Sequence, residues 1–139
     1  MELVANAVQT VAELQNVQFT DTVICGNNSI THRAGSGLVN LRGLTNQCRA
    51  RFKISFGGNI AIPTGGTVEA ISLALSLDSE SIGSTTMIVT PAAVEDFFNV
   101  YSSIFVDVPR GCCYSLSVEN ISTQPILVQN ANLIVERVA

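Results

Sequence analysis

Tryptophan is absent from this 139-residue chain, lysine and histidine occur once each (Lys53, His32), and only 13% of the residues are charged. A globular protein averages about 25%. The net charge is −4, which excludes nonspecific nucleic-acid binding, because that needs many cationic contacts to phosphates. A single histidine leaves no His-rich metal site. A Ser-His-Asp arrangement would have to use His32, and the chain has no Gly-x-Ser-x-Gly elbow. "AGSG" (Ala34 to Gly37) is too short and opens no helix, so His32 reads as a surface strand histidine. "GGNIAIPTGG" has glycines without the lysine or helix of a phosphate loop. No apolar run approaches a membrane span. "MELVANAVQTVAELQ" places Glu2 where a signal peptide would carry basic residues. The expectation is therefore a chain without a signal peptide, made in the cytoplasm, which reaches the outside by a route such as cell lysis.

Helical periodicity is almost missing too. Alternation of period two takes its place. In "CRARFKISFGG", Ala50, Phe52, Ile54 and Phe56 share one face, and Arg49, Arg51, Lys53 and Ser55 the other. In "VEAISLALSLDSE", Ile71, Leu73, Leu75 and Leu77 alternate with Ser72, Ala74, Ser76 and Asp78. In "YSLSVEN", Tyr114, Leu116 and Val118 alternate with Ser115, Ser117 and Glu119. One apolar face at this period marks half-buried antiparallel strands. The segments between them ("GNNS", "AGSG", "PTGG", "LDSES", "VPRG", "STQP") hold residues with a physical reason to turn. "TPAAVEDFFNV" reads as a loop at Pro91 to Ala93 followed by a strand. The predicted fold is all-β, a two-sheet antiparallel sandwich. Residues 1–16 read as an N-terminal arm or edge strand, and 17–139 as a single domain. Phe52, Leu73, Leu75 and Leu116 are predicted core.

The strand and turn pattern "SSIFVDVPRGCCYSLSVEN…ANLIVERVA", with "NVQFTDT", "NSITHRAGSGLVNL" and "RFKISFGGNIAIP" upstream, resembles the jelly roll shared by tumour necrosis factor and the globular head of complement's first component. It is similar to small members of that superfamily in gut Firmicutes and their prophages, often virion structural proteins. The resemblance implies final strands at Ser103–Val108, Cys112–Asn120 and Ile126–Val138, and a last strand in an inner sheet that packs around a three-fold axis. Many members carry Asp after the turn glycine; here Cys112 follows Gly111. Some members bind calcium. Asp78/Glu80 and Glu95/Asp96 lack calcium-loop spacing and read as solvated turn acids, so no cofactor is expected. "NNS" and "NIS" match the glycosylation pattern, a coincidence in a bacterial or phage protein.

Strand parity sorts the cysteines. Cys112 falls with Tyr114, Leu116 and Val118 and is predicted in the core; Cys113 falls with Ser115 and Ser117 on the opposite face. Neighbouring strand residues point apart, so the two do not share an ion. Cys48 falls with Ala50 and Phe52 and reads as a buried filler, whereas Cys25 lies in a turn-rich stretch. No spacing matches a zinc motif, and a Cys48–Cys112 bridge stays open. Arg33, Arg42, Arg49, Arg51 and Lys53 cluster in one segment that reads as a solvated or interface-facing strand edge, with an anion site as the alternative. "QPILVQNANLIVERVA" has no clean polar face, and a strand apolar on both sides is covered on both sides. The sparse surface charge points the same way. Phe105, Asn132, Ile134 and Val138 are the expected oligomer interface.

The function expected is a non-enzymatic structural or display module, a homotrimer on a particle surface. A phage virion comes first: a decoration protein, head fibre or tail-associated protein, with capsid or tail proteins as further partners. The alternative is a carbohydrate- or receptor-binding module at a bacterial, spore or tail-fibre surface, with a saccharide bound at exposed loops such as Ser79–Thr86.

Overall fold

A computed structural model describes residues 1–139. Twelve strands follow one another: β1 (Glu2–Ala5), β2 (Gln9–Val11), β3 (Asp21–Ile24), β4 (Ile30–His32), β5 (Val39–Arg42), β6 (Arg49–Ala61), β7 (Ile71–Leu77), β8 (Glu80–Ser81), β9 (Met87–Val89), β10 (Phe98–Pro109), β11 (Cys113–Asn120) and β12 (Ile126–Arg137). A single 3-10 turn spans Gly83–Thr85. One sheet has the order β10-β6-β12-β1-β3, with β2 on the far end of β12; the other has the order β4-β5-β11-β7-β8, with β9 on β7. All pairings are antiparallel. The architecture is the expected all-β two-sheet sandwich.

The two apolar faces meet in one core, because the alternating sets point into the same gap. Phe52, Ile54 and Phe56 of β6, Leu73 and Leu75 of β7, and Leu116 and Val118 of β11 are fully buried there. Phe19 packs edge-on against Phe56, ring centroids 6.4 Å apart. Burial of side chains this size contributes roughly 1.5–3 kcal/mol each. The loop ahead of β10 runs through Phe97, and the strand begins at the second of the two adjacent phenylalanines, Phe98.

Four expectations need correction. Residues 1–16 form no separate arm, and only part of them is edge strand: β2 pairs with β12 alone, but β1 lies inside the first sheet between β12 and β3, with Leu3 and Ala5 buried. Cys112 is exposed, not core. Its parity is right, but the strand starts one residue later. Cys112 closes the turn from Pro109, its N–H donating to the Pro109 carbonyl at 3.0 Å, and Gly111 takes φ +79°, the left-handed turn position that glycine fills without strain. Cys48 is exposed as well, because it precedes β6 and the core begins at Ala50. His32 is half-buried rather than on the surface, edge-on to Phe19, its Nε2 at 2.8 Å from the Ser36 carbonyl and its Nδ1 buried without a partner.

The last strand also differs in detail. Ile126 and Val128 point inward at even positions; Ala131, Leu133 and Val135 point inward at odd ones. The parity changes at a bulge between Gln129 and Asn132, where Asn130 takes φ +54°. Asparagine tolerates that region better than a branched residue. Much of the two-sided apolar character of this segment is thus one core face read through a bulge, which leaves Leu127, Ile134 and Val138 outward.

Candidate functional site

Sheet register decides which side chains share the outer surface of the first sheet. One row across it is Ser103, Ser55, Ile134, Glu2 and Ile24 on β10, β6, β12, β1 and β3. The next toward one end is Phe105, Lys53 and Glu136. In the opposite direction lie Tyr101, Gly57, Asn132, Val4 and Asp21. Cross-strand neighbours of this kind have Cβ atoms about 5 Å apart, so the rows form one continuous surface.

Four large apolar side chains on this surface are uncovered, two on the end strand β10, one on β12 and one on the opposite end strand β3. Tyr101 is 65% exposed, Phe105 60%, Ile24 58% and Ile134 40%. Side chains of this size dominate the energetics of interfaces. Gly57, level with Tyr101, carries no side chain, so the ring meets a shallow floor. Hydrogen bonding to Ser55, then to Ser103, lowers the pKa of the Tyr101 phenol from its usual value, and the Lys53 charge adds to the effect. Asn132 donates its amide N–H to Glu2 at 2.6 Å, which fixes both polar groups between the apolar rows.

Charged groups share the same face, with Lys53, Glu136 and Glu2 on its inner strands. Arg51 donates to both Asp107 oxygens, at 2.7 and 3.1 Å, and Arg49 approaches the same carboxylate at 3.1 Å. Arg51 holds the Asp107 carboxyl below the usual carboxylate range, first by hydrogen bonding and then by its charge; the Arg51 pKa is raised in return. The group is exposed, so the pairing contributes little to stability. β6 lies between β10 and β12 and is no edge strand. Arg42 is apart from this group and reaches the Asn28 carbonyl.

Phe105, Asn132, Ile134 and Val138 thus come together on this one outer face. The sequence reading missed Tyr101, Val4 and Ile24 beside them. Tyr101 was within reach, because it shares the parity of Ser103 and Phe105. Val4 and Ile24 needed the placement of β1 and β3. Elsewhere the arrangement offers little chemistry. No group of three or more His, Cys, Asp or Glu side chains is placed to hold a metal ion. No helix is long and apolar enough to cross a membrane. Asp78 and Ser79, at φ +51° and +69°, make the two-residue β7–β8 hairpin turn, and Asp78 accepts the Ser115 N–H at 2.8 Å. Glu95 accepts from the Thr64 hydroxyl at 2.6 Å. These acids serve turns.

No family sequence model matches the chain. No curated protein matches it in sequence. Solved structures match it in shape, among them the following three. The globular domain of the zebrafish complement 1qA protein superimposes with a TM-score of 0.62 at 12% identity, covering 95% of this chain and 92% of that one. Murine APRIL gives 0.65 at 11% identity, covering 97% of each. Eiger TNF from S. frugiperda gives 0.66 at 10% identity, covering all of this chain and 92% of that one. The fold is a tumour-necrosis-factor-like jelly roll. In this jelly roll, the sheet that carries the uncovered aromatics is the one containing the last strand, β12.

Proposed function

We propose that this jelly roll is a non-enzymatic structural module that assembles with two further copies through the outer face of the β10-β6-β12-β1-β3 sheet, and that the trimer is displayed on a particle surface, a phage virion before any other. One observation carries the reading: Tyr101, Phe105, Ile24 and Ile134 lie exposed on the outer face of a regular sheet, not on loops. Large apolar side chains left exposed together on one sheet face mark an interaction site. A second copy is the simplest cover for it, and closed cyclic symmetry satisfies every copy equally. The number three and the virion follow from the resemblance to trimeric jelly rolls and prophage proteins described for the sequence.

Sedimentation velocity of the purified chain tests the assembly. The expected species has three times the 14.7 kDa mass of the chain, or a multiple of that. Mass spectrometry of density-banded phage particles from producing cells tests the display role. The chain should band with capsid or tail proteins; its recovery only in the soluble fraction would contradict that part of the proposal.

A further inference from the structure

Two connections carry the chain between the sheets at one end of the sandwich, and they lie side by side. One is the loop from β5 to β6 (residues 43–48); the other is the turn from β10 to β11 (residues 110–112). The β6–β10 ladder ends at Arg49 and Pro109, and the Arg110 N–H continues it by donating to the Cys48 carbonyl at 2.9 Å. The Gly43 N–H donates to the Cys112 carbonyl at 2.9 Å, and the Gly111 N–H to the Gly43 carbonyl at 3.1 Å. The packing is so close that a Cβ on residue 43 would run into the Pro109 carbonyl oxygen. Each connection ends in a cysteine. Cys48 leads into β6 of the first sheet, and Cys112 into β11 of the second.

Position singles this pair out among the four thiols. Cys48 continues the parity of the buried Ala50 and Phe52, and Cys112 that of the buried Leu116 and Val118, so both lean toward the gap between the sheets, past the end of the core. Cys113 has the opposite parity and faces Arg42 across the β5–β11 ladder. Cys25 follows β3, at the opposite end of the sheet order from β10. Cys112 stands two residues beyond the level of Cys48, the diagonal relation of a ladder, which sets Cα atoms about 7–8 Å apart. The turn shortens that span: the Cys112 N–H donates to the Pro109 carbonyl at 3.0 Å, which draws it back toward the end of β10. A disulfide spans Cα atoms up to about 6.8 Å apart. A shift of roughly an ångström in the exposed Asn46–Cys48 segment therefore closes the bond. Both thiols are free and exposed. Cys48 opens on a cleft of about 210 Å³ with Gln47, Arg49 and Arg51 in its walls, where a small reagent can reach the sulfur.

We propose that Cys48 and Cys112 are a redox pair: with a small-molecule disulfide they close into an intrachain bond that staples the first sheet to the second at this end of the sandwich. One protein thiolate attacks the reagent, a mixed disulfide forms, and one small thiol leaves. The other protein thiolate then attacks the cysteine sulfur of that mixed disulfide, and the second small thiol leaves. Two protein thiols have then given up two electrons and two protons, and one reagent disulfide has become two thiols. The bond forms where the surroundings are oxidising and opens where they are reducing. It closes a loop that contains β6 to β10, and by restricting the unfolded chain over that stretch it stabilises the folded sandwich. Neither cysteine belongs to the outer face of the first sheet, so the pair acts alike in a single chain and in an assembly.

The test uses the full chain, reduced and then equilibrated in glutathione buffers of increasing oxidising strength. Non-reducing peptide mapping should show one linked pair of peptides, joined through Cys48 and Cys112. The protein should still run as a single chain on a non-reducing denaturing gel. Cys48→Ser and Cys112→Ser should each abolish the link, and Cys113→Ser should leave it in place. A bond from Cys48 to Cys113, links between chains, glutathione retained on both cysteines, or thiols that stay free in the most oxidising buffer would each overturn the proposal. A second readout is stability. The oxidised chain should unfold at a higher urea concentration than the reduced chain, and added reductant should cancel the shift. The shift should persist in Cys113→Ser and be lost in Cys112→Ser. A bond that forms and leaves the midpoint unchanged or lower would overturn the stapling role.

Discussion

The outer faces of the two sheets use the same pleat and period and differ in what they leave in water. The β4-β5-β11-β7-β8 sheet presents Thr31, Asn40, Ser115 and Glu119, tied by short polar contacts such as Ser115 Oγ to Asn40 at 3.3 Å. Ile88 on β9 is its one large exposed strand apolar. The opposite outer face leaves Tyr101, Phe105, Ile24 and Ile134 uncovered. Alternation alone would have made both faces polar. The proposed assembly accounts for the difference: one face is finished as a surface, and the other keeps the large apolar side chains that a partner would cover.

The largest effect should come from between the sheets, where both faces depend on the same support. Phe56→Ala should cost about 3–5 kcal/mol by denaturant unfolding, from lost transfer energy and the cavity left behind. It should lower stability and assembly together, since neither face survives the loss of the core. An assembly defect without a stability loss would place Phe56 at the interface instead.

Next in size is the contrast between the faces. Phe105→Glu with Tyr101→Glu should shift the protein to monomers in sedimentation. Far-ultraviolet circular dichroism should stay unchanged, because both side chains are exposed in the single chain. Thr31→Glu on the opposite sheet should leave assembly as it was. Equal effects on the two faces would remove the distinction.

The thiols sharpen it further. All four cysteines are exposed in the single chain, and access governs alkylation. Cys48, Cys112 and Cys113 should react in the assembled protein. Cys25, next in the chain to the exposed Ile24, should be protected there and gain the rate of the others in the Phe105→Glu, Tyr101→Glu variant. Peptide mapping after a timed alkylation reads the order.

The smallest effect is electrostatic. The folded-state Asp107 pKa lies below its ordinary value because Arg51 binds the carboxylate. A depressed carboxylate stabilises the fold above the unfolded-state pKa, near 3.9 for Asp, and that contribution is lost as pH falls through the folded-state value. Asp107→Asn should lower the urea midpoint slightly at neutral pH. The difference from the unmodified chain should vanish under more acidic conditions. A gap that widens with acid would reverse the assignment.

How far the sequence foretold the molecule depends on how local each feature is. The core of β6, β7 and β11 was legible because an alternating strand states its own buried face. Cys112 was misplaced because parity persists past the strand end, and the turn at Gly111 decided where β11 begins. The β12 bulge was hidden because a bulged strand and a strand buried on both sides have the same apolar density. Ser76 and Ser117, on the nominally wet side of β7 and β11, are buried, a consequence of small side chains in mid-sheet that alternation does not show. Ile24 required β3 to be placed beside β1, a long-range pairing that no local pattern announces.

Sedimentation equilibrium on the unmodified chain, across a concentration range reaching micromolar, most directly tests the claim that one sheet face is completed by further copies. The account predicts a single assembled species at three times the mass of the chain, or a multiple of it, that dissociates on dilution. A stable, soluble monomer throughout the range, with Tyr101 and Phe105 exposed to water, would contradict it.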